Sequence, residues 1–165
     1  MGSQWFANMR GAALDDEQMK DIPHPTAELY VHVTTKTIQA GGLLGMVLFA
    51  PIATVLKKET RNLASLQTKM TRFGRNGVII GTVMGPFMTF MKLRNENDDY
   101  KVWDRCYRLR YNRNQVRVDQ ASVSLGVGGA IAGALAGQGV LFGGLAGMVV
   151  GILSAATFNS IQKKD

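Results

Sequence analysis

Cysteine is nearly absent from this chain: Cys106 stands alone, which excludes an internal disulfide and a cysteine metal cluster. The two histidines, His24 and His32, lack the spacing of a ligand pair. Each reads as an ordinary neutral side chain. No nucleophile is paired with a base, and HExxH, P-loop and dinucleotide fingerprints are missing. Gly126, Gly128 and Gly129 imitate a phosphate-binding order, but they lie inside an apolar run rather than after a strand. Residues 1–21 have no apolar h-region, so no cleaved signal is expected. Asp15, Asp16 and Glu17 argue against a transit peptide. Phe6 stands where the myristoylation pattern opened by Met1-Gly2 requires Ser or Thr.

Charge is also missing where it counts. From Asp119 to Phe158 the only ionisable residue is Asp119 itself. The mean hydropathy of +0.01 suggests a globular protein, yet the apolar residues are segregated into blocks. Gly129, Gly133 and Gly137 recur every fourth residue, as do Gly139, Gly143, Gly147 and Gly151. That spacing places each set on one helix face. In water each helix-interior glycine costs about 1 kcal/mol against alanine. In lipid, missing side chains let helices approach closely. A single helix over 119–158 would run about 60 Å, twice the hydrocarbon core. The break falls at Gly137-Gln138-Gly139, giving spans over 119–137 and 140–158.

Two earlier blocks carry the same signature. The span 37–56 contains Gly41 and Gly45, with Pro51 near its far end, Gln39 near its entry, and Lys36, Lys57 and Lys58 placed to snorkel. The span 76–91 contains Gly77, Gly81 and Gly85, followed by Pro86. It is short and needs its flanks or a thinned bilayer. The expected fold is therefore an all-α membrane protein of four transmembrane helices packed through glycine faces. A polar arm covers 1–34, the four-helix domain covers 35–158, and a short tail covers 159–165.

The net charge of +7 suits membrane surfaces better than nucleic acid, because the basic residues flank apolar blocks. Within 57–75, Leu63, Leu66, Met70 and Phe73 predict a short amphipathic helix. The connector 92–118 opens on a turn-prone acidic patch, Asn95 to Asp99. It continues into an aromatic stripe, Tyr100, Trp103, Tyr107 and Tyr111, with Arg105 and Arg108 off that stripe. These residues, with Arg110, are candidates for contact with anionic lipid or a partner subunit; a plain linking helix is the alternative. Asp119 reads first as an N-cap. The alternative pairs it with Arg113, Arg117 or another helix along a polar path.

Four short glycine-faced spans behind a basic connector resemble the Tim family of mitochondrial inner-membrane proteins. That family includes import-channel subunits and a four-helix accessory subunit of respiratory complex I. Asp119 matches the acid of the family motif. Gly128-Gly129 and Gly133 match its glycines, though eight residues rather than six separate them from Asp119. The motif's arginine is displaced, the nearest being Arg113 and Arg117. The resemblance implies a multi-pass protein of the mitochondrial inner membrane with its termini in the intermembrane space. A raw count argues the other way. It places 13 Lys/Arg on the terminal side against six in 57–75, which would put the termini inside. With the motif displaced and one cysteine, the resemblance implies a non-catalytic accessory role in complex I, beside other membrane subunits. A translocation or solute pathway is the alternative. No cofactor is expected, although a bound phospholipid such as cardiolipin would fit.

Overall fold

A computed structural model describes residues 3–94, 96 and 98–162. Met1, Gly2, Asn95, Asn97 and residues 163–165 lie outside the described residues, and with them part of the acidic patch and most of the tail. Among the described residues all regular structure is helical. Two short helices, α1 (Ser3–Met9) and α2 (Asp16–Lys20), precede the long α3 (Pro25–Leu56). Then follow α4 (Leu63–Leu93), α5 (Asp99–Tyr111), α6 (Arg113–Leu135) and α7 (Val140–Gln162).

The helix starts follow local chemistry. Asp15 and Gln18 form a reciprocal capping box on α2, and Pro25 opens α3 with its fixed φ. Asn62, Asp98 and Asn112 accept backbone N–H bonds at the starts of α4, α5 and α6. Inside α3, Leu44–Phe49 widens into π-helical turns just before Pro51. A proline cannot donate the i→i−4 bond, and the wider turn adjoins the place where that ladder is interrupted.

Three helices, α3, α6 and α7, are long and apolar enough to cross a membrane. The predicted span 37–56 is the second half of a helix that already begins at Pro25. The predicted amphipathic helix in 57–75 is not separate: from Leu63 it runs unbroken into the apolar block 76–91 as α4.

α3 and α4 form one antiparallel pair, and α6 and α7 form the other. In the first pair the close approaches fall in one register. A Cβ added at Gly41 would overlap the Gly77 carbonyl, one at Gly77 the Gly41 carbonyl, and one at Gly45 the Phe73 carbonyl. Gly81 is pressed against Thr37 in the same way, and Thr37 Oγ1 donates to Gly81 O at 2.7 Å. A Cβ at Gly85 would lie 2.5 Å from Thr34 Cα. In the second pair Gly129 faces Gly143, Gly147 faces Leu125, and Gly151 faces Ala121, again backbone against backbone.

Gly137 and Gly139 depart from the expected role. They carry φ of +67° and +92°, and a Cβ on either would meet nothing within 4 Å. They are turn glycines rather than packing glycines. The turn ends α6 in a left-handed cap, with Gln138 and Gly139 N–H groups both bonded to Gly133 O.

The two pairs touch each other more sparsely. At the end near the 136–139 turn the junction is apolar, built on Met46, Leu145 and Val149. There Gln67 on α4 also bonds Gln138 in the turn. At the opposite end the junction is polar. α1, α2 and α5 gather over it around Ile22, Leu29, Val102 and Cys106.

Candidate functional site: the polar junction and its cap

Asp119 sits about two turns past the start of α6, because Asn112 is the residue that caps the helix. The N-cap reading is therefore replaced by a cross-helix ion pair. Lys36 Nζ lies 2.5 Å from Asp119 Oδ1. Gln39 Nε2 donates to the same oxygen at 2.8 Å and to Ser122 Oγ at 2.8 Å. Ser122 Oγ in turn donates to Asp119 O. Lys36 and Gln39 lie one turn apart on α3, and Asp119 and Ser122 one turn apart on α6, so the two faces meet side by side. Asp119 and Gln39 are buried, while Lys36 keeps 28% of its side chain exposed. Arg113 and Arg117, the partners expected from the sequence, point elsewhere. Arg113 bonds Asn8. Arg117 bonds Asn159 and lies over the Phe158 ring.

A second buried pair stands above the first. Arg110 Nη2 lies 2.5 Å from Glu28 Oε1, and its Nε donates to Oε2 at 3.1 Å. Both side chains are almost wholly buried. The remaining guanidinium nitrogen donates to the carbonyls of Gln18, Met19 and Asp21. Those are the orphan carbonyls at the C-terminal end of α2. Asn8 on α1 donates to Arg110 O at 3.0 Å. One arginine thus joins α1, α2, α3 and α5. This corrects the expectation that Arg110 reaches headgroups: the fork of donors is spent inside the protein.

Between the two ion pairs lies a cavity of about 30 Å³ lined by Asn8, Glu28, His32, Arg110, Gln115 and Asp119 among others. It is large enough for a water molecule. Gln115 Oε1 is buried beside it.

The aromatic stripe on α5 is real as a helix face, with Tyr100 stacked on Trp103 and Trp103 on Tyr107. Its cover is in part the chain's own α2. Trp103 Nε1 donates to Lys20 O at 3.3 Å, and Tyr107 and Tyr111 hydroxyls both donate to Asp16. Lys20 and these phenols hold the Asp16 carboxyl down at about 2, and the Asp16 contact pushes the Tyr111 phenol upward. Tyr100 stays open at 68% exposure. Arg105 and Arg108 face outward, Arg108 paired with Asp104. Burial raises the Cys106 thiol to about 11, and Cys106 Sγ contacts Pro25 O at 3.0 Å. Among the described residues no group of three or more His, Cys, Asp or Glu could hold a metal ion.

The sequence named Asp119 and the stripe but missed Glu28, Lys36 and Arg110 as a set. The available signal was the run of ionisable residues Glu28, His32 and Lys36 at four-residue spacing, leading straight into an apolar block. Such a row, entering a span, asks for buried partners.

These features define an all-α protein with membrane-crossing character and buried ion pairs at one end of its bundle. A family model described as "Protein of unknown function (DUF1757)" matches residues 5–162, and the chain belongs to that family. No curated protein matches the chain.

Proposed function

We propose that this protein is a non-catalytic accessory membrane subunit of mitochondrial respiratory complex I. In this reading it crosses the inner membrane four times, with its termini and α5 in the intermembrane space. It contributes to assembly through helix packing and through contacts with lipid or neighbouring subunits. The observation that carries the reading is the use made of the buried charges. Glu28, Arg110 and Asp119 each sit in an ion pair that joins separate helices, an arrangement that fixes shape. The fourth crossing is supported by the backbone-to-backbone contact of α4 with α3 from Thr34 to Gly45: a helix held that closely travels with its partner into the bilayer. The exposed apolar side chains of α4, such as Ile80, Val83 and Phe87, suit lipid or another subunit. Removing the protein from cells should lower the amount of assembled complex I while NADH oxidation per assembled complex stays unchanged. Normal assembly, or normal assembly with lost turnover, would contradict this.

A second reading, a translocation or solute pathway, draws on one observation. An open cleft of about 680 Å³ between the helix pairs is lined by His32, Lys36, Asn112, Gln115 and Asn159. If that cleft conducts, Ala156→Trp, which narrows it, should lower flux in reconstituted vesicles while assembly stays normal.

A further inference from the structure

We propose a binding site for one anionic glycerophospholipid at the junction of α3, α4 and α5, with its phosphate between Lys92 and Arg105. The inference rests on the membrane placement of the bundle in the reading above, and not on which complex the protein joins.

Lys92 closes α4 and Arg105 lies on the outer side of α5. Both are exposed. Neither makes a hydrogen bond or ion pair among the described residues. The other cations nearby are taken: Lys101 is paired with Glu96 at 3.0 Å and Arg108 with Asp104. Two free positive charges therefore stand together, and the neighbouring carboxylates already hold partners of their own.

What lies on either side of the two cations sets the ligand. Below them is an apolar groove of about 490 Å³ lined by Leu29, Val33, Phe87, Met88 and Met91. Above them is a polar recess of about 140 Å³ that includes Glu96, Lys101, Asp104 and Arg108. Lys92, Arg105 and Leu29 line both. A ligand filling this surface must be apolar at one end, anionic at its middle and polar at its tip. That order is the order of a phospholipid: acyl chain, phosphate, headgroup. The groove volume falls in the ~300–1,000 Å³ range of small-ligand sites. A guanidinium supplies paired donors to phosphate oxygens and a lysine adds a point charge. A free phosphate would leave the groove uncovered, and a zwitterionic lipid would bring its own cation to a site that already holds two.

The site sits on the side of α5 away from the aromatic stripe, which covers α2. The lipid-facing surface of α5 is thus its arginine side.

The test is native mass spectrometry of the purified full chain in detergent, titrated with phosphatidylglycerol or phosphatidylcholine. Wild type should retain one phosphatidylglycerol in preference to phosphatidylcholine. Lys92→Gln and Arg105→Gln should each weaken that retention about fivefold, the scale of one basic residue at an anionic surface, and the double variant should lose the preference. Lys20→Gln, which removes a paired cation on the stripe side and away from both recesses, should retain it. Inorganic phosphate at millimolar concentration should fail to displace the lipid. Equal retention of both lipids by wild type overturns the proposal without any variant. So does a double variant that keeps the preference, or displacement by phosphate alone, which would assign the cations to a soluble anion.

Discussion

Lys36 and Asp119 meet across the two helix pairs, ammonium to carboxylate at 2.5 Å, although 83 positions separate them in the chain. Gln39 and Ser122 complete the bridge. This end of the junction is therefore held by charge, while the other end is held by Met46, Leu145 and Val149.

Asp119→Asn should leave Lys36 without its counter-ion and lower stability. Breaking a wholly buried pair costs roughly 3–5 kcal/mol; the partial exposure of Lys36 puts this case at or below the lower end. The double variant Lys36→Met with Asp119→Leu should recover most of the loss, since an apolar pair replaces a paired charge at little net cost. Thermal unfolding of wild type, Lys36→Met, Asp119→Leu and the double variant in one detergent closes the double-mutant cycle. Additive losses would show that the two residues are uncoupled.

Two adjacent glycines give a sharp comparison. A Cβ at Gly128 would meet nothing within 4 Å, whereas one at Gly129 would overlap the Gly143 carbonyl. Gly128→Ala should be neutral or stabilising by up to about 1 kcal/mol. Gly129→Ala should destabilise by about 1–3 kcal/mol. Gly143→Leu and Gly147→Leu should fail to assemble. Equal melting temperatures for the two alanine variants would contradict the backbone contact.

Arg110→Gln should detach α1 and α2 from the bundle, because it leaves Glu28 buried and unpaired, a loss of roughly 3–5 kcal/mol. Cys106 reports the event. Its thiol, raised to about 11 by burial, should alkylate slowly at pH 8 in the wild type and much faster in the variant. Unchanged alkylation would mean that the cap stays in place without the ion pair.

Acid should loosen the α2–α5 contact only at an extreme. Asp16 is held at about 2, chiefly by Lys20 and Tyr111. A depressed carboxyl contributes stability above its unfolded pKa of about 4 and loses it as pH falls toward 2. Fluorescence of Trp103, whose indole bonds Lys20 O, should therefore stay flat from pH 8 to 5 and change between pH 4 and 2. In Asp16→Asn the low-pH step should vanish. A transition near pH 6 would contradict the assignment.

The helices were legible from residues 119–158 because the apolar run is unbroken and Gly137-Gln138-Gly139 interrupts it where a turn is needed. The start of α3 was not. Glu28, His32 and Lys36 dilute the hydropathy of 25–36, and their meaning depends on Arg110 and Asp119, which the sequence does not place opposite them. Four-residue glycine spacing marks a face but carries no register. That Gly41 meets Gly77, and Gly129 meets Gly143, follows from connection lengths and side-chain fit along the whole pair. The stripe Tyr100, Trp103, Tyr107 and Tyr111 was visible as a helix face. Its partner α2 was not, since a five-residue helix with a capping box has too few apolar residues to announce where it docks.

Native electrophoresis of gently solubilised mitochondria tests the proposed membership of a respiratory complex most directly. The chain should co-migrate with the NADH-oxidising band and leave that position in Asp119→Asn. Migration with a protein-import complex, or alone at the mass of the free chain, would contradict it.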